Sequence, residues 1–440
     1  MKQFWKTLCV ALLTVLPALP ATCLAQEKKD TNNVLTIEAS IVARGELRYG
    51  GLPSADGELK DKARFVVERT RLGANYKRKW LEAKVTLQQA GVWGDSNTNS
   101  LSIYEAWGKL TANNGLFLSI GRQELSYDDE RIIGSDDWVM VADCHDVLKL
   151  GYEGHGHKAH FIFAYNQTNA NTMGGTTYTT QDGEQPYKSM ITGWYHYDLP
   201  HTPLGASLLF MNMAMQSPYE ENAKTESQQL LGGFVSWQPD RWNIEGAYYR
   251  QMGKDEFHTP IEAWMASAKV EFSPTTKWTI STGYDYLSGD PNPVVPKLGE
   301  LGMARHDKVR GFSTVFGSHH KFYGAMDFFY VDAYYGGYTP GLQNLYANFQ
   351  YSPIDALKLS AGYHYFATAS KISNASRSLG HELELSASYY IIKDVKLSFG
   401  YSYMHGTSTL ERLHHVAGKN KLNWAWLAIS FSPKFPKIKW

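Results

Sequence analysis

Four arginines fall into two close pairs, Arg44 with Arg48 and Arg69 with Arg71. In an extended chain, residues two or four apart project to one face, so each pair would present its guanidinium groups together. A guanidinium fork binds carboxylate or phosphate bidentately and keeps its charge at any working pH. Forks converging at one height would seat an anion, with Arg122 and Arg131 as further candidates. Glu46, Glu82 and Lys84 stand among them. They offer the alternative of a ladder of ion pairs that stiffens a wall. The plain reading of any single one is the solvated lining that a wet interior needs.

Other chemistries find less support. The histidine pairs His155/His157, His319/His320 and His414/His415 lack the helical i, i+4 spacing or cysteine partners of a defined zinc site. Ser, His and Asp are plentiful, but nothing sets one nucleophile and base apart, so no enzyme is expected. Asp128, Asp129, Asp136, Asp137 and Asp290 could hold Ca²⁺ with carbonyl help. Acidic loops that are solvated or paired to Arg131 are the plainer reading, and no cofactor is expected. Lys+Arg and Asp+Glu are both 43, so no global basic field argues for nucleic acid.

The elements that must carry these residues follow from patterning. A chain of 440 residues would ordinarily make two or three soluble domains, but a barrel can absorb that length in one. Aromatics are 14 % and Gly 38, while mean hydropathy is −0.37. That mixture disfavours disorder, which is aromatic-poor, and helical membrane proteins, which need long apolar runs. From Leu35 to Tyr49, apolar residues hold the odd positions and polar ones most of the even positions. The same period of two returns at Leu81–Leu87, Leu357–Tyr365, Leu383–Tyr389 and Val395–Tyr403.

Such runs predict strands at 35–49, 63–76, 80–94, 101–110, 116–125, 146–152, 158–167, 187–198 and 204–215. Nine more follow at 226–238, 241–252, 261–273, 277–288, 342–352, 356–368, 381–392, 394–405 and 421–432. The connections alternate long and short, the long ones being 50–62, 95–100, 126–145, 168–186, 216–225, 253–260, 289–341, 369–380 and 406–420. Tyr and Trp cluster near strand ends, as at Tyr76, Trp80 and Trp242. Short turns on one side, long loops on the other and interfacial aromatics together predict an all-β protein. It is a transmembrane antiparallel β-barrel of about eighteen strands, with both termini periplasmic. A barrel of that size holds an aqueous channel.

Lys2 and Lys6 precede a short apolar run from Cys9 to Pro20, and small residues follow to Ala25. This predicts a signal peptide at 1–25, a short periplasmic segment at 26–34 and a barrel at 35–440. The mature chain then keeps only Cys144, so no internal disulfide is expected. The 289–341 connection is far longer than an ordinary loop. It is rich in aromatics, which predicts a gate or plug folded inward, with Asp290, Phe316, Phe322 and Tyr323 as its gating residues.

One stretch, Gly121 to Trp138 (GRQELSYDDERIIGSDDW), resembles a segment that marks the alginate export family of outer-membrane porins. Phe65–Gly73 (FVVERTRLG), Tyr284–Pro293 (YDYLSGDPNP) and Phe316–Phe329 (FGSHHKFYGAMDFF) agree with it. The resemblance implies an eighteen-stranded barrel in the bacterial outer membrane, conducting an anionic poly- or oligosaccharide through an arginine-rich constriction gated by external loops. It carries over to Arg69 and Arg71 as the R-x-R pair, Arg122 in G-R-Q and Arg131 in D-E-R. The later strands offer Glu382, Glu384, Lys358 and Lys396 to the lumen and no arginine, so a uniformly positive pore is not expected. The implied partners are outer-membrane lipid, a hydrophilic and uronate-like solute, and the barrel-assembly machinery during biogenesis. A monomeric barrel is expected. The rival readings are a barrel lipase or protease and a structural or adhesive barrel with a filled interior.

Overall fold

The computed structural model describes residues 33–49, 62–166, 169–171, 175–177, 187–216, 224–291, 307–329, 340–413 and 421–440. The expected signal peptide, His414–His415 and the middle of the 289–341 connection lie outside these residues.

Eighteen long strands form the barrel. The first six are β1 (Val34–Tyr49), β2 (Ala63–Arg78), β3 (Leu81–Val92), β4 (Asp95–Thr111), β5 (Leu116–Gln123) and β6 (His145–Gly154). Then come β7 (His157–Tyr165), β8 (Ser189–Asp198), β9 (Leu204–Met215), β10 (Glu226–Trp237), β11 (Trp242–Lys254) and β12 (Pro260–Thr275). The last are β13 (Trp278–Leu287), β14 (Leu342–Ile354), β15 (Leu357–Ala367), β16 (Ser378–Ile392), β17 (Val395–Gly406) and β18 (Lys421–Phe431). Each pairs antiparallel with its neighbours in sequence. Ile41–Tyr49 of β1 also pairs with β18, so the sheet closes. Closure leaves no strand edge in lipid, where an unpaired backbone group is costly. Below that contact the tail returns along β1, with Ile438 opposite Leu35 and Trp440 stacked on Tyr76. No helix among the described residues is long and apolar enough to cross a membrane.

The period of two decides which face is which. Leu208 on β9 is 63 % exposed and its neighbour Leu209 is 1 % exposed, so the first faces lipid and the second the interior. Ile41, Leu72, Val85, Ile120, Leu231, Ile280, Leu345, Leu385 and Leu427 share the outward face. Tight turns such as Lys79–Trp80 and His155–Gly156 join strands at the end that holds both termini, which makes that end periplasmic.

Two sequence expectations are corrected. Residues 95–100 are not a long loop: Asp95 pairs with Val92, and Trp93–Gly94 alone makes the turn. Gly94 sits at φ 82°, a left-handed conformation that glycine adopts freely. Asp95–Ser100 is polar on both faces because this hairpin rises beyond the apolar band, where no face needs to be greasy. The second correction concerns the interior, which is not polar throughout. Met190, Met211, Leu230, Met265, Phe366, Met404 and Leu422 point inward and are buried.

These apolar wall residues pack against two inward-folded segments of external connections, 124–144 and 307–329. Ile132, Ile133, Phe312, Phe316, Phe328 and Phe329 supply the matching surface. The segments join each other through a bridge between Ile133 and Phe316. The backbone N–H of Gly134 donates to the carbonyl of Phe316 (2.8 Å), and that of Phe316 to the carbonyl of Ile132 (3.0 Å). Much of the upper lumen on the β8–β18 side is therefore a packed core.

Candidate functional site

The charged wall lies on β1 to β4, away from that core, and the inward segment 124–144 leans against it. Ser40 and Arg71 are register partners, as are Val42 and Arg69, which sets both arginines on the lumenal face. Arg69 Nη1 donates to Asp137 Oδ1 (2.9 Å) and to the carbonyls of Asp137 and Val139. Arg71 Nη1 reaches the same Oδ1 at 2.6 Å, Arg71 Nε donates to Gln88 Oε1 (2.7 Å), and the guanidinium lies 3.6 Å over the Tyr104 ring. Two cations thus share one carboxylate. Arg69 Nε and Arg71 Nη2 are buried and have no hydrogen-bond partner among the described residues. The Asp137 side chain is 58 % exposed, so it is the wet member of the group.

The other arginine pair is closed off. Glu46 accepts from Arg44 Nε on one oxygen and from Arg48 Nε on the other, both at 2.9 Å. Trp424 Nε1 donates to the same carboxylate at 3.0 Å. Arg44 also stacks on Trp138 at 4.0 Å, and Trp138 lies flat on His320 at 4.0 Å. This is the ion-pair ladder, tied by Trp138 to both inward segments. Lys84 pairs with Glu105 (2.5 Å) on the same face. Glu82 sits lower, held by Asn75 and Lys77.

Arg131 is enclosed by the inward segments and β13. It is 3 % exposed, in the heart of the plug. Asp129 and Asp285 each lie 3.0 Å from it. Arg131 Nη1 donates to Tyr323 Oη (3.2 Å), and the Phe322 ring lies 4.1 Å from the guanidinium. Burial works against its charge, but Asp285, Tyr323 and Asp129 outweigh this and hold its pKa well above the ordinary value. Burial likewise pushes the Tyr323 hydroxyl upward, with Arg131 opposing. The group fastens the two segments to the wall through β13.

Arg122 is also not where a lining residue would be. It pairs in register with Ala106 and Asp146 and shares a face with Ile120, which is 61 % exposed. It therefore points outward, and its guanidinium meets Asp146 at 3.0 Å.

The expected gating residues all fall at the plug. Asp290 accepts the backbone N–H groups of Arg310 (2.8 Å) and Gly311 (3.1 Å), fixing where the chain re-enters. Glu382 and Glu384 on β16 accept the N–H groups of Met326 (2.9 Å) and Ala325 (2.6 Å), fixing where it turns. The five aspartates considered for Ca²⁺ do not converge. Asp128 accepts Trp194 Nε1 (3.1 Å), Asp129 and Asp137 meet arginines, and Asp136 has its own surroundings. No cluster of three metal-ligating side chains forms among the described residues. Beneath the plug lies a cavity of about 660 Å³, bordered by Trp194, Ser236, Lys269, Asn348, Ser386 and Glu245. Lys269 stands between Glu245 (3.4 Å) and Glu271 (3.5 Å), so charge there is compensated in place.

Sequence reasoning missed Asp137 as the shared partner of Arg69 and Arg71, together with Trp138, Trp424, Tyr104 and Gln88. The doublet Asp136-Asp137 was visible, but not the wall it meets.

Comparison with known proteins agrees with this architecture. Crystal structures of Pseudomonas aeruginosa OpdQ and OpdL superpose with TM-scores of 0.61 and 0.60, at 12 % and 11 % identity. The alignments cover 93 % of this chain and 100 % of OpdQ, and 91 % of this chain and 99 % of OpdL. OccK9 (OpdG) of the same organism gives 0.59 at 11 % identity over 91 % of this chain and 98 % of its own. At such identities the likeness speaks for the fold alone, that of outer-membrane porins. No curated protein matches the sequence. The alginate export profile matches residues 46–406, and the chain belongs to that family as an outer-membrane channel barrel.

Proposed function

We propose that this barrel passes a hydrophilic, carboxylate-bearing solute, of the size and chemistry of an oligouronate, along the β1–β4 wall. The observation that carries this reading is the pair Arg69 and Arg71 sharing a single loop carboxylate, with a buried donor left over on each. A buried donor without a partner costs roughly 1–3 kcal/mol. A solute carboxylate that paired more of these donors would compete with Asp137 for them. Displacing Asp137 frees the tip of segment 124–144 and widens the path. Hydrated charge is exchanged for guanidinium contact and back again, with no covalent step. The seat is weak enough for release because Asp137 is tethered beside it and returns.

The test is single-channel recording in planar bilayers with the full chain. Wild type is expected to prefer anions and to be blocked by oligouronate but not by a neutral oligosaccharide of equal length. Arg69→Ala/Arg71→Ala is expected to lose both properties. Cation preference, or block unchanged in the double variant, overturns the arginine seat. The packed upper lumen favours one other reading, a filled structural barrel, and absence of any conductance in the same recordings would establish it.

A further inference from the structure

A second charged feature lies on the outside of the barrel and takes no part in the lumen. At the external ends of β16, β17 and β18, His381 pairs in register with His405, and His405 with Lys421. All three side chains are exposed. They share the outward face with Leu383, Phe399 and Leu427, which face lipid. On β1 and β2 the row continues with Arg64, opposite Leu47, and with Lys62, whose ammonium lies 5.7 Å from the Tyr49 ring. Five adjacent strands at about 4.8 Å each give an arc of roughly 20 Å.

Two further observations single out this arc. At two other places on the outer surface a cation has an acidic partner: Arg122 has Asp146, and Lys308 has Glu262. Among the described residues of β16, β17, β18, β1 and β2, the outward face carries one acid, Glu68. It lies four residues along β2 from Arg64, and its oxygens accept Trp93 Nε1 (2.6 Å) and Gln89 Nε2 (3.4 Å). Aromatic rings mark the depth. Tyr363 Oη meets His381 Nδ1 at 2.5 Å, and the Tyr365 ring lies 5.1 Å from that of His381. Tyrosines at such positions sit at headgroup level, so the cations beside them stand where lipid phosphates lie. Clustered Lys and Arg at that level attract anionic headgroups, and imidazole N–H groups add donors for phosphate oxygens.

We propose that this arc binds the phosphorylated glycolipid of the outer leaflet, of the lipid A type, through its headgroup phosphates. Full-length protein in neutral detergent is titrated with lipid A, with dephosphorylated lipid A and with phosphatidylglycerol, and bound lipid is counted by native mass spectrometry. Wild type is expected to retain lipid A at least tenfold more tightly than either of the others. Lys62→Ala/Arg64→Ala/Lys421→Ala is expected to lose that tenfold, and Arg250→Ala, outward on β11, to keep it. Circular dichroism and heat-modifiable gel mobility confirm that each variant is a folded barrel before it is scored. Equal retention by the triple variant, or equal binding of dephosphorylated lipid A, overturns the proposal. Equal binding of phosphatidylglycerol overturns the glycolipid assignment. Pore selectivity is expected to be unchanged in the triple variant, so this outcome is independent of the arginine seat.

Discussion

Asp137 Oδ1 lies 2.6 Å from Arg71 Nη1, and the same oxygen lies 2.9 Å from Arg69 Nη1. The carboxylate belongs to an inward-folded loop and the cations to the wall, so one atom couples plug position to wall charge. Asp137→Asn keeps the shape and removes the charge. It is expected to raise the apparent affinity for oligouronate about tenfold, equivalent to about 1.4 kcal/mol, and to raise the mean current. Block titrations in bilayers check this; an unchanged affinity means that Asp137 does not compete with the solute.

Arg131 answers to a different logic. Its partners Asp129 and Asp285 are themselves buried, so truncating the cation leaves uncompensated charge. Breaking a buried pair of this kind costs about 3–5 kcal/mol. Arg131→Ala is expected to loosen segments 124–144 and 307–329 together, seen as faster protease cleavage in both, while the barrel stays closed. Asp285→Asn in the same chain is expected to restore part of the protection. Protection unchanged in Arg131→Ala would show that the apolar contacts hold the plug alone.

Arg122 supplies a negative control with a definite outcome. Because it faces outward beside Asp146, Arg122→Ala is expected to leave ion selectivity within error of wild type, whereas Arg71→Ala is not. Reversal potentials under a salt gradient check it. A loss of anion preference in Arg122→Ala would place its guanidinium in the conduction path after all.

The same residue shows what the sequence did and did not make legible. The strands were readable because lipid on one side and protein or water on the other imposes a strong period of two, as at Leu116, Leu118 and Ile120. That parity already puts Arg122 with Ile120 on the outer face. Grouping it with Arg69 and Arg71 by charge overrode the better signal. Asp95–Ser100 was misread for the opposite reason: once a hairpin rises past the apolar band, both faces are polar and the period disappears. The inward contacts were not readable at all. Arg131 and Tyr323 are 192 positions apart, and neither segment has a repeating pattern, since each residue answers to a different wall neighbour. The inward methionines and leucines of β8 to β12 gave a visible hint. An apolar lumenal face has meaning only if something packs on it.

Asp136 gives the plug a dependence on pH. Burial raises its carboxyl to about 6, with Asp327 and Asp143 adding to the rise and His320 opposing it. Its backbone N–H donates to Ser318 Oγ at 3.0 Å, and its carboxyl accepts from the backbone of His319, so it sits on the seam between the two inward segments. In a freed loop the group would titrate near 3.9. The docked state therefore binds the proton more tightly, and docking strengthens as pH falls through about 6 toward 4 and is weakest above 6. The His319 ring works in the opposite sense. Burial lowers it to about 4, whereas in a freed loop it would titrate at about 6.5. Its contribution to docking is therefore lost as pH falls through that window, and His319→Gln is the background that isolates Asp136. Mean conductance is expected to be lower at pH 5 than at pH 7.5 in His319→Gln. Adding Asp136→Asn to that background is expected to flatten the profile at the low-conductance level, because the amide stands for the protonated acid at every pH. His320→Gln separates the contribution of the ring that opposes the rise. A profile that keeps its slope in the double variant would move the titration to another group on the seam.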